Sequence, residues 1–530
     1  MVVVNRVVLF LAFFSILFIG CRKPINTNWD VDVVLPIVKS ELNIKNFAGD
    51  SIFLADNTGL LHFKVTREIT SLKIDSLLKL PDTTIIKTFT IPTIAKLPPG
   101  YALTFFPPTE LEFDISNGVA LKRVDIRSGQ IIIKFMNDLL QPLDLLYVIP
   151  SAVKGGQPLK IFETIPPLPS VLTKTYDVSG YSFNMRGISG NVFNTIVQTN
   201  TVYVNPDADS VFVNYGQGPK IELSYKDIVP EYVEGYFGQQ TIDIPLDTAK
   251  LDLVENFHAA NFMLNDASLT FNILNGFGAE FSANLSNITS INSGAGNVVP
   301  LTNNQLSNIN INRATRAGTT VFPTVKALSF LSSNSNIVPF LSNLPDRLTY
   351  KGNISVNPLS PSNISGYNDF AFHDHGIRVM ADIDIPMRFN ADYFKLKSNT
   401  AVDFSNIEQL ENVKSGNFVI LATSSYPFKA RLQAYMLDEQ GLVIDSLFVP
   451  GKNSIEAGQL NSQNVVVAPV DSKVLIPIAP EKITKLRKTK SIEIVTYFLM
   501  PPNPPDIKIY ENYTIKVNIV AELNYNVTNK

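Results

Sequence analysis

The chain has 530 residues but only one cysteine, Cys21, and one tryptophan, Trp29. A single thiol excludes any disulfide within the chain, so its stability has to come from apolar burial. Charge is also scarce, with Asp, Glu, Lys and Arg at 17% of residues against about 25% in an average soluble protein. The formal net charge of −3 excludes a globally basic surface, and with it the phosphate neutralisation that nucleic-acid binding needs. Long helical periodicity is almost absent. Gly-x-Ser-x-Gly, His-Glu-x-x-His, a phosphate-binding P-loop and a dinucleotide-binding glycine fingerprint are missing too, which removes the usual signatures of hydrolases, zinc proteases, NTPases and dehydrogenases. One tryptophan is poor equipment for a sugar cleft, although Tyr and Phe offer other stacking platforms. No enzymatic activity, catalytic residue or cofactor is expected.

The chain does carry a marked beginning. Asn5-Arg6 precedes an apolar run from Val7 to Ile19, interrupted only by Ser15, and Gly20-Cys21 follows. As a helix that run spans roughly 20 Å, short of the bilayer's hydrocarbon core of about 30 Å, and the polar segment Arg22 to Asn28 cannot extend it. The segment therefore reads as a secretory signal over residues 1–20. Its end, Phe18-Ile19-Gly20-Cys21, resembles the lipobox of bacterial lipoproteins, with Phe18 where Leu is usual. The resemblance implies cleavage between Gly20 and Cys21, a diacylglycerol thioether on Cys21, and an amide-linked acyl chain such as palmitate. At about 0.8 kcal/mol per buried methylene, two or three such chains hold a protein at a membrane effectively permanently. No later stretch reaches 18 uninterrupted apolar residues, so the mature chain is expected to be otherwise soluble.

From Trp29 onward, alternation of apolar and polar residues dominates, beginning with Trp29-Asp30-Val31-Asp32-Val33. Period-2 runs recur at 121–126, 131–135, 202–204, 211–215, 269–273, 379–385, 418–421 and 515–523, as half-buried strands require. Short helices are expected at 248–262 and 337–344. The fold class is all-β: tandem antiparallel sandwich-like or long curved-sheet modules with a few short helices. Three segments share one shape, namely 130–148, 268–288 and 417–437. Each is a strand, a polar break (Asn137-Asp138, Asn275-Gly276, Ser424-Ser425), then a second strand; a β-hairpin would produce the same pattern. With the proline-rich stretches Pro150 to Pro169 and Pro358 to Gly366 as boundaries, the segments suggest three related modules at 29–165, 166–357 and 358–530. These follow a short lipidated tether at 21–28. A third proline run, Pro501 to Pro505, reads as a rigid hairpin tip.

The lipobox, the short tether, the early Trp29 to Pro36 stretch and the Asn-rich β-chain together resemble large uncharacterised outer-membrane lipoproteins of the Bacteroidota type. In that group acidic residues soon after the cysteine accompany export to the cell surface, whereas here Arg22-Lys23-Pro24 follow. The resemblance therefore implies the periplasmic face of the outer membrane. The same bacteria O-glycosylate Ser or Thr after Asp, which makes Ser51, Ser76, Thr83, Ser210, Thr248 and Ser446 candidates. The alternating strands also resemble, more distantly, tubular lipid-binding proteins, which would imply an apolar groove; alternation by itself does not separate a groove from a packed core.

Few residues suggest other chemistry. His373-Asp374-His375 would put both imidazoles on one side of an extended strand, as a metal site needs; a solvated polar loop is the alternative. Lys482, Lys485, Arg487, Lys488 and Lys490 form a basic cluster on a helix that Pro480-Glu481 can start, facing either anionic lipid or water. Phe105 and Phe106, ahead of Pro107-Pro108, are core residues or a partner contact. The expected role is non-catalytic: a structural, assembly or interaction part of the envelope, anchored to the membrane through Cys21. Carriage of lipid or another apolar ligand and glycan binding are the alternatives.

Overall fold

The computed structural model describes residues 28–528 apart from 46–51, 79, 106, 169, 252–257, 360–364, 403–412, 449–450, 452, 487 and 501–506. The signal segment, Gly20, Cys21, Ser51 and the proline run at 501–505 lie outside the described residues. The protein is all-β: antiparallel strands dominate and the helices are short. The expected period-2 runs fall on strands, except that the run at 211–215 is strand only over Val211–Val213. In the strand Ala120–Asn137, for example, Leu121, Val124, Ile126, Ile131, Ile133 and Phe135 are all buried.

The chain divides into two compact units, each discontinuous in sequence. One comprises Met1–Phe63, Asn256–Asn265 and Pro386–Lys530, and the other Lys64–Glu255 and Asp266–Ile385. The boundaries expected near residues 165 and 357 both fall inside the second unit. Pro150 to Pro169 is no linker: it holds the antiparallel strands Leu143–Lys154 and Gln157–Ile165, joined by Gly155-Gly156 with positive φ. Two glycines supply the left-handed backbone that a tight hairpin turn needs.

In the first unit the edge strand Asn28–Leu42 begins a four-stranded sheet, continued in order by Ile515–Thr528, Val413–Ser424 and Val470–Pro477. Tyr393–Ala401, Ser491–Leu499 and Lys429–Leu437 are central in a second sheet. The core of this unit is aromatic. Phe394 stacks on Phe498 at 4.4 Å between centroids, and Tyr426 and Phe428 close around them. The buried Tyr426 hydroxyl accepts a hydrogen bond from the Ile44 amide at 3.1 Å, which satisfies its polar tip.

The second unit holds an eleven-stranded sheet, two small sheets and two two-stranded ribbons. One small sheet orders Gln240–Lys250, Arg347–Val356, Phe281–Asn292 and Asn297–Pro300, with Ile309–Ile311 added to its third strand. The other continues from residues 64–72 through Ile377–Pro386, Ser268–Asn275 and Thr324–Leu331.

The three strand-break-strand segments are present, but they are not hairpins. Ser268–Asn275 and Phe281–Asn292 belong to different sheets, as do Val413–Ser424 and Lys429–Leu437. Ala120–Asn137 and Leu143–Lys154 are separated by the short strand Ser182–Asn184. In each case the last polar side chain of the first strand organises the crossing. Asn137 Oδ1 accepts from the Leu139 amide at 2.9 Å while its Nδ2 donates to the carbonyls of Gln141 and Pro166. Asn275 repeats this with the Phe277 amide and the carbonyls of Ala279 and Asn312. Ser424 Oγ accepts from the Tyr426 amide at 3.3 Å. Where a strand leaves its ladder in the buried interior, its backbone groups need internal partners.

Helices form at Ile337–Ser342 and Pro480–Leu486, as expected. The helix expected from Thr248 is absent at its start: Thr248, Ala249 and Lys250 complete the strand Gln240–Lys250, which pairs to Arg347–Val356 through Lys250 and Arg347. A waiting ladder overrides a weak helical pattern.

Candidate functional site

The two small sheets of the second unit line an open-mouthed, mostly apolar cavity of about 300 Å³. From one wall come Ile242, Ile244, Ala283, Leu285, Ile288, Leu348 and Ile354; from the other come Ile69, Leu72, Phe271, Ile273, Ile377 and Val379. Phe271, Ile273, Ile288, Leu348, Ile354 and Ile377 are buried, while Ile69, Leu72, Ile242, Ile244, Leu285 and Val379 are partly open to solvent. Asp243, Asp247, Ser71 and Ser76 are exposed and mark its polar rim.

Local irregularities in the ladder open this space. Ile244 pairs with Gly352 and Asp247 with Tyr350, so Pro245 and Leu246 face Lys351 alone. On the other side of the same strand, Ser286 pairs with Lys351 and Thr289 with Thr349, which leaves Asn287 and Ile288 opposite Tyr350. Two bulges thus flank one short stretch, 349–352, and each adds local bend and twist to its strand. Proline explains the first, since Pro245 has no amide to give the ladder. Asn287, with φ of 53°, explains the second, because Asn tolerates the left-handed region. Gly352 lets the flanking strand come close: a Cβ there would lie 2.3 Å from the Asn284 carbonyl oxygen.

The one aromatic hydroxyl in the cavity wall is Tyr350. Its Oη donates to Asp247 Oδ2 at 3.0 Å and lies 3.4 Å from the Ile69 carbonyl oxygen. Burial pushes the Tyr350 phenol above its ordinary range, opposed by a hydrogen bond with Thr70 and aided by the nearby Asp247 carboxylate. The hydroxyl therefore stays protonated at neutral pH and acts as a fixed donor at the mouth. Such a site can hold an apolar body with one polar end.

The residues singled out from sequence are scattered. His373 and His375 occupy the turn between Asp369–Phe372 and Ile377–Pro386, not an extended strand, so the geometry that would put both rings on one face is missing. The His373 amide donates to the Glu231 carbonyl and the His375 ring packs edge-on against Phe372. His373 Nδ1 is buried without a hydrogen-bond partner. Among the described residues no three His, Cys, Asp or Glu side chains converge as a metal site would. In the basic helix, Lys482 donates to the Ser446 carbonyl and Lys485 pairs with Asp445 at 2.8 Å, so two of its cations are tied to the protein. Of the glycosylation candidates, Ser76, Ser210 and Thr248 are exposed and Thr83 and Ser446 are half-buried. The side chains of Phe105 and Phe106 lie outside the described residues.

Sequence reading did not single out Tyr350, Asp247 or the cavity. Its only local trace is Ile242-Asp243-Ile244-Pro245, an alternating strand broken by proline. The remaining walls come mostly from four other stretches, around residues 69–76, 271–288, 348–354 and 377–379, which no local window joins.

No protein-family profile matches the chain, and neither does any curated protein. Among solved structures, a protein of Parabacteroides distasonis described as secreted aligns over 93% of this chain and 99% of its own, at 9% identity and a TM-score of 0.27. A particle of infectious bursal disease virus aligns over 92% of this chain and 83% of its own, at 8% identity and a TM-score of 0.13. Scores this low reflect strand-rich chains and do not establish a common architecture. Among the described residues no helix is long and apolar enough to cross a membrane.

Proposed function

We propose that this chain is a lipid-anchored, non-catalytic protein of the cell envelope that carries an apolar ligand in its second unit. The anchor is Cys21, and the site is the cavity between the two small sheets. Of the roles compatible with the sequence, carriage is the one that the cavity favours. The observation that carries the reading is size combined with lining: about 300 Å³ bounded largely by Ile, Leu, Val and Phe side chains. That lies at the lower end of ligand pockets, which span roughly 300–1,000 Å³. Left to water, the apolar lining stays solvated, at a cost of about 25 cal/mol per Å² of apolar surface. An apolar occupant offsets that cost, and Tyr350 with Asp247 supplies a polar station at the mouth.

The test is native mass spectrometry of protein extracted gently from membranes, followed by titration with a fluorescent fatty acid. Bound lipid and saturable probe binding are expected, and Ala283→Phe, which fills the cavity, should abolish both while leaving the protein folded. Probe binding that survives the filled cavity would overturn the carrier reading. The anchor is tested separately by metabolic labelling with palmitate, which Cys21→Ala should abolish. Envelope position is tested by protease treatment of intact cells: protection supports the periplasmic face of the outer membrane, and digestion places the protein on the surface.

A further inference from the structure

The single tryptophan stands where an apolar sheet face runs out of cover. Along Asn28–Leu42, residues Trp29, Val31, Val33 and Leu35 share one side, since side chains alternate along a strand. Val33 pairs with Leu523 and Leu35 with Ala521, and Ala521 in turn pairs with Phe418. Leu523, Ala521 and Phe418 are buried, so this side is the core face of the sheet. Toward the start of the strand the cover ends: Leu35 is half-buried, Val33 is 41% exposed, Val31 42% and Trp29 54%. The opposite side at this end carries Asp30, paired to Lys414 at 2.8 Å, and Asp32, which accepts from Asn524, followed by an exposed Val34. The first residues of this edge strand therefore present an indole and two valines on one side, and on the other two paired carboxylates ahead of Val34.

Distance decides what covers that side. Arg22 to Asn28 is seven residues, which reach about 25 Å when fully extended. An acylated Cys21 therefore keeps Trp29 within that distance of the lipid headgroups, where tryptophan is enriched because its ring is apolar and its N–H needs a polar partner. We infer that Trp29, Val31 and Val33 insert into the interfacial region of the phospholipid leaflet that holds the acyl chains of Cys21, so that the edge strand is a second membrane contact. This rests on the lipid-anchor reading above. Its consequence is orientation, since acyl chains on a seven-residue tether restrain position but leave the protein free to tumble.

Because Trp29 is the only tryptophan, its emission reports this one position. The full, natively processed protein is reconstituted into phosphatidylcholine and phosphatidylglycerol vesicles with or without bromine on the acyl chains near the headgroup. Flotation with the vesicles, roughly twofold quenching by the brominated lipid and protection from acrylamide are expected. Val31→Asn with Val33→Asn should float equally well but lose most of the quenching. Flotation with Trp29 unquenched by brominated lipid, whether open to acrylamide or covered by protein, would overturn the inference while leaving the anchor intact. Failure to float would overturn the anchor itself.

Discussion

Asn137 and Asn275 hold the same set of hydrogen bonds at two separate places in the second unit. Each accepts the amide two residues on and donates to the carbonyl four residues on, and each adds one remote carbonyl, of Pro166 and Asn312 respectively. Both side chains are buried, and both sit where a strand leaves its ladder. Replacing either by Ala strands an amide and two carbonyls, so each variant should lose about 2–4 kcal/mol of stability. Ser424→Ala, which removes a single longer bond in the first unit, should lose about 1 kcal/mol. Urea midpoints monitored by circular dichroism provide the check, and equal effects at all three positions would count against the shared role of the two asparagines.

Gly352 carries a sharper prediction, because its close neighbour is backbone. A Cβ placed 2.3 Å from the Asn284 oxygen forces two strands apart at the bulged stretch of the cavity wall. Gly352→Ala should therefore destabilise by about 1–3 kcal/mol and weaken probe binding. Gly294→Ala is the control. Its Cβ meets only Asn292 Oδ1, at 3.5 Å, and should be neutral or slightly stabilising. Thermal unfolding and probe titration of the two variants separate the cases.

Alkaline pH should unfold the protein earlier than a typical sheet protein. Burial raises the phenols of Tyr147, Tyr225 and Tyr426 above their ordinary value, so the folded protein keeps their protons while the unfolded chain releases them above about pH 10. The unfolded state then binds fewer protons, and stability falls as pH rises from about 10 toward the folded-state values, by up to ~1.4 kcal/mol per pH unit for each tyrosine. Below pH 10 these groups contribute no pH dependence. Unfolding by urea at pH 8 and above pH 10, followed through tyrosinate absorbance, tests the sign; an unchanged midpoint would refute it.

Histidine replacement should leave metal content unchanged. His373 and His375 stand in a turn without a third ligand among the described residues, so zinc titration of His373→Ala with His375→Ala should match the parent. Stoichiometric zinc in the parent that the double variant loses would restore the metal reading.

Strand content was legible in the sequence because alternation is a local property: a period of two follows from the backbone whatever the partner strand turns out to be. The breaks at Asn137, Asn275 and Ser424 were legible for the same reason. Their meaning was not, since a hairpin and a chain that leaves its ladder for a non-adjacent strand share the same run of residues and differ only in where the hydrogen bonds go. The helix expected from Thr248 failed at its start because Arg347–Val356 supplies a ladder that no window around Thr248 reveals.

What the sequence by itself determined is therefore the all-β character, carried by residues adjacent in the chain. Tertiary structure alone decided the two discontinuous units, the cavity beside Tyr350 and the uncovered side of Trp29. Each depends on which distant strands pair and where their ladders slip. Register and bulges are collective results of burial across a whole sheet, and no single segment encodes them.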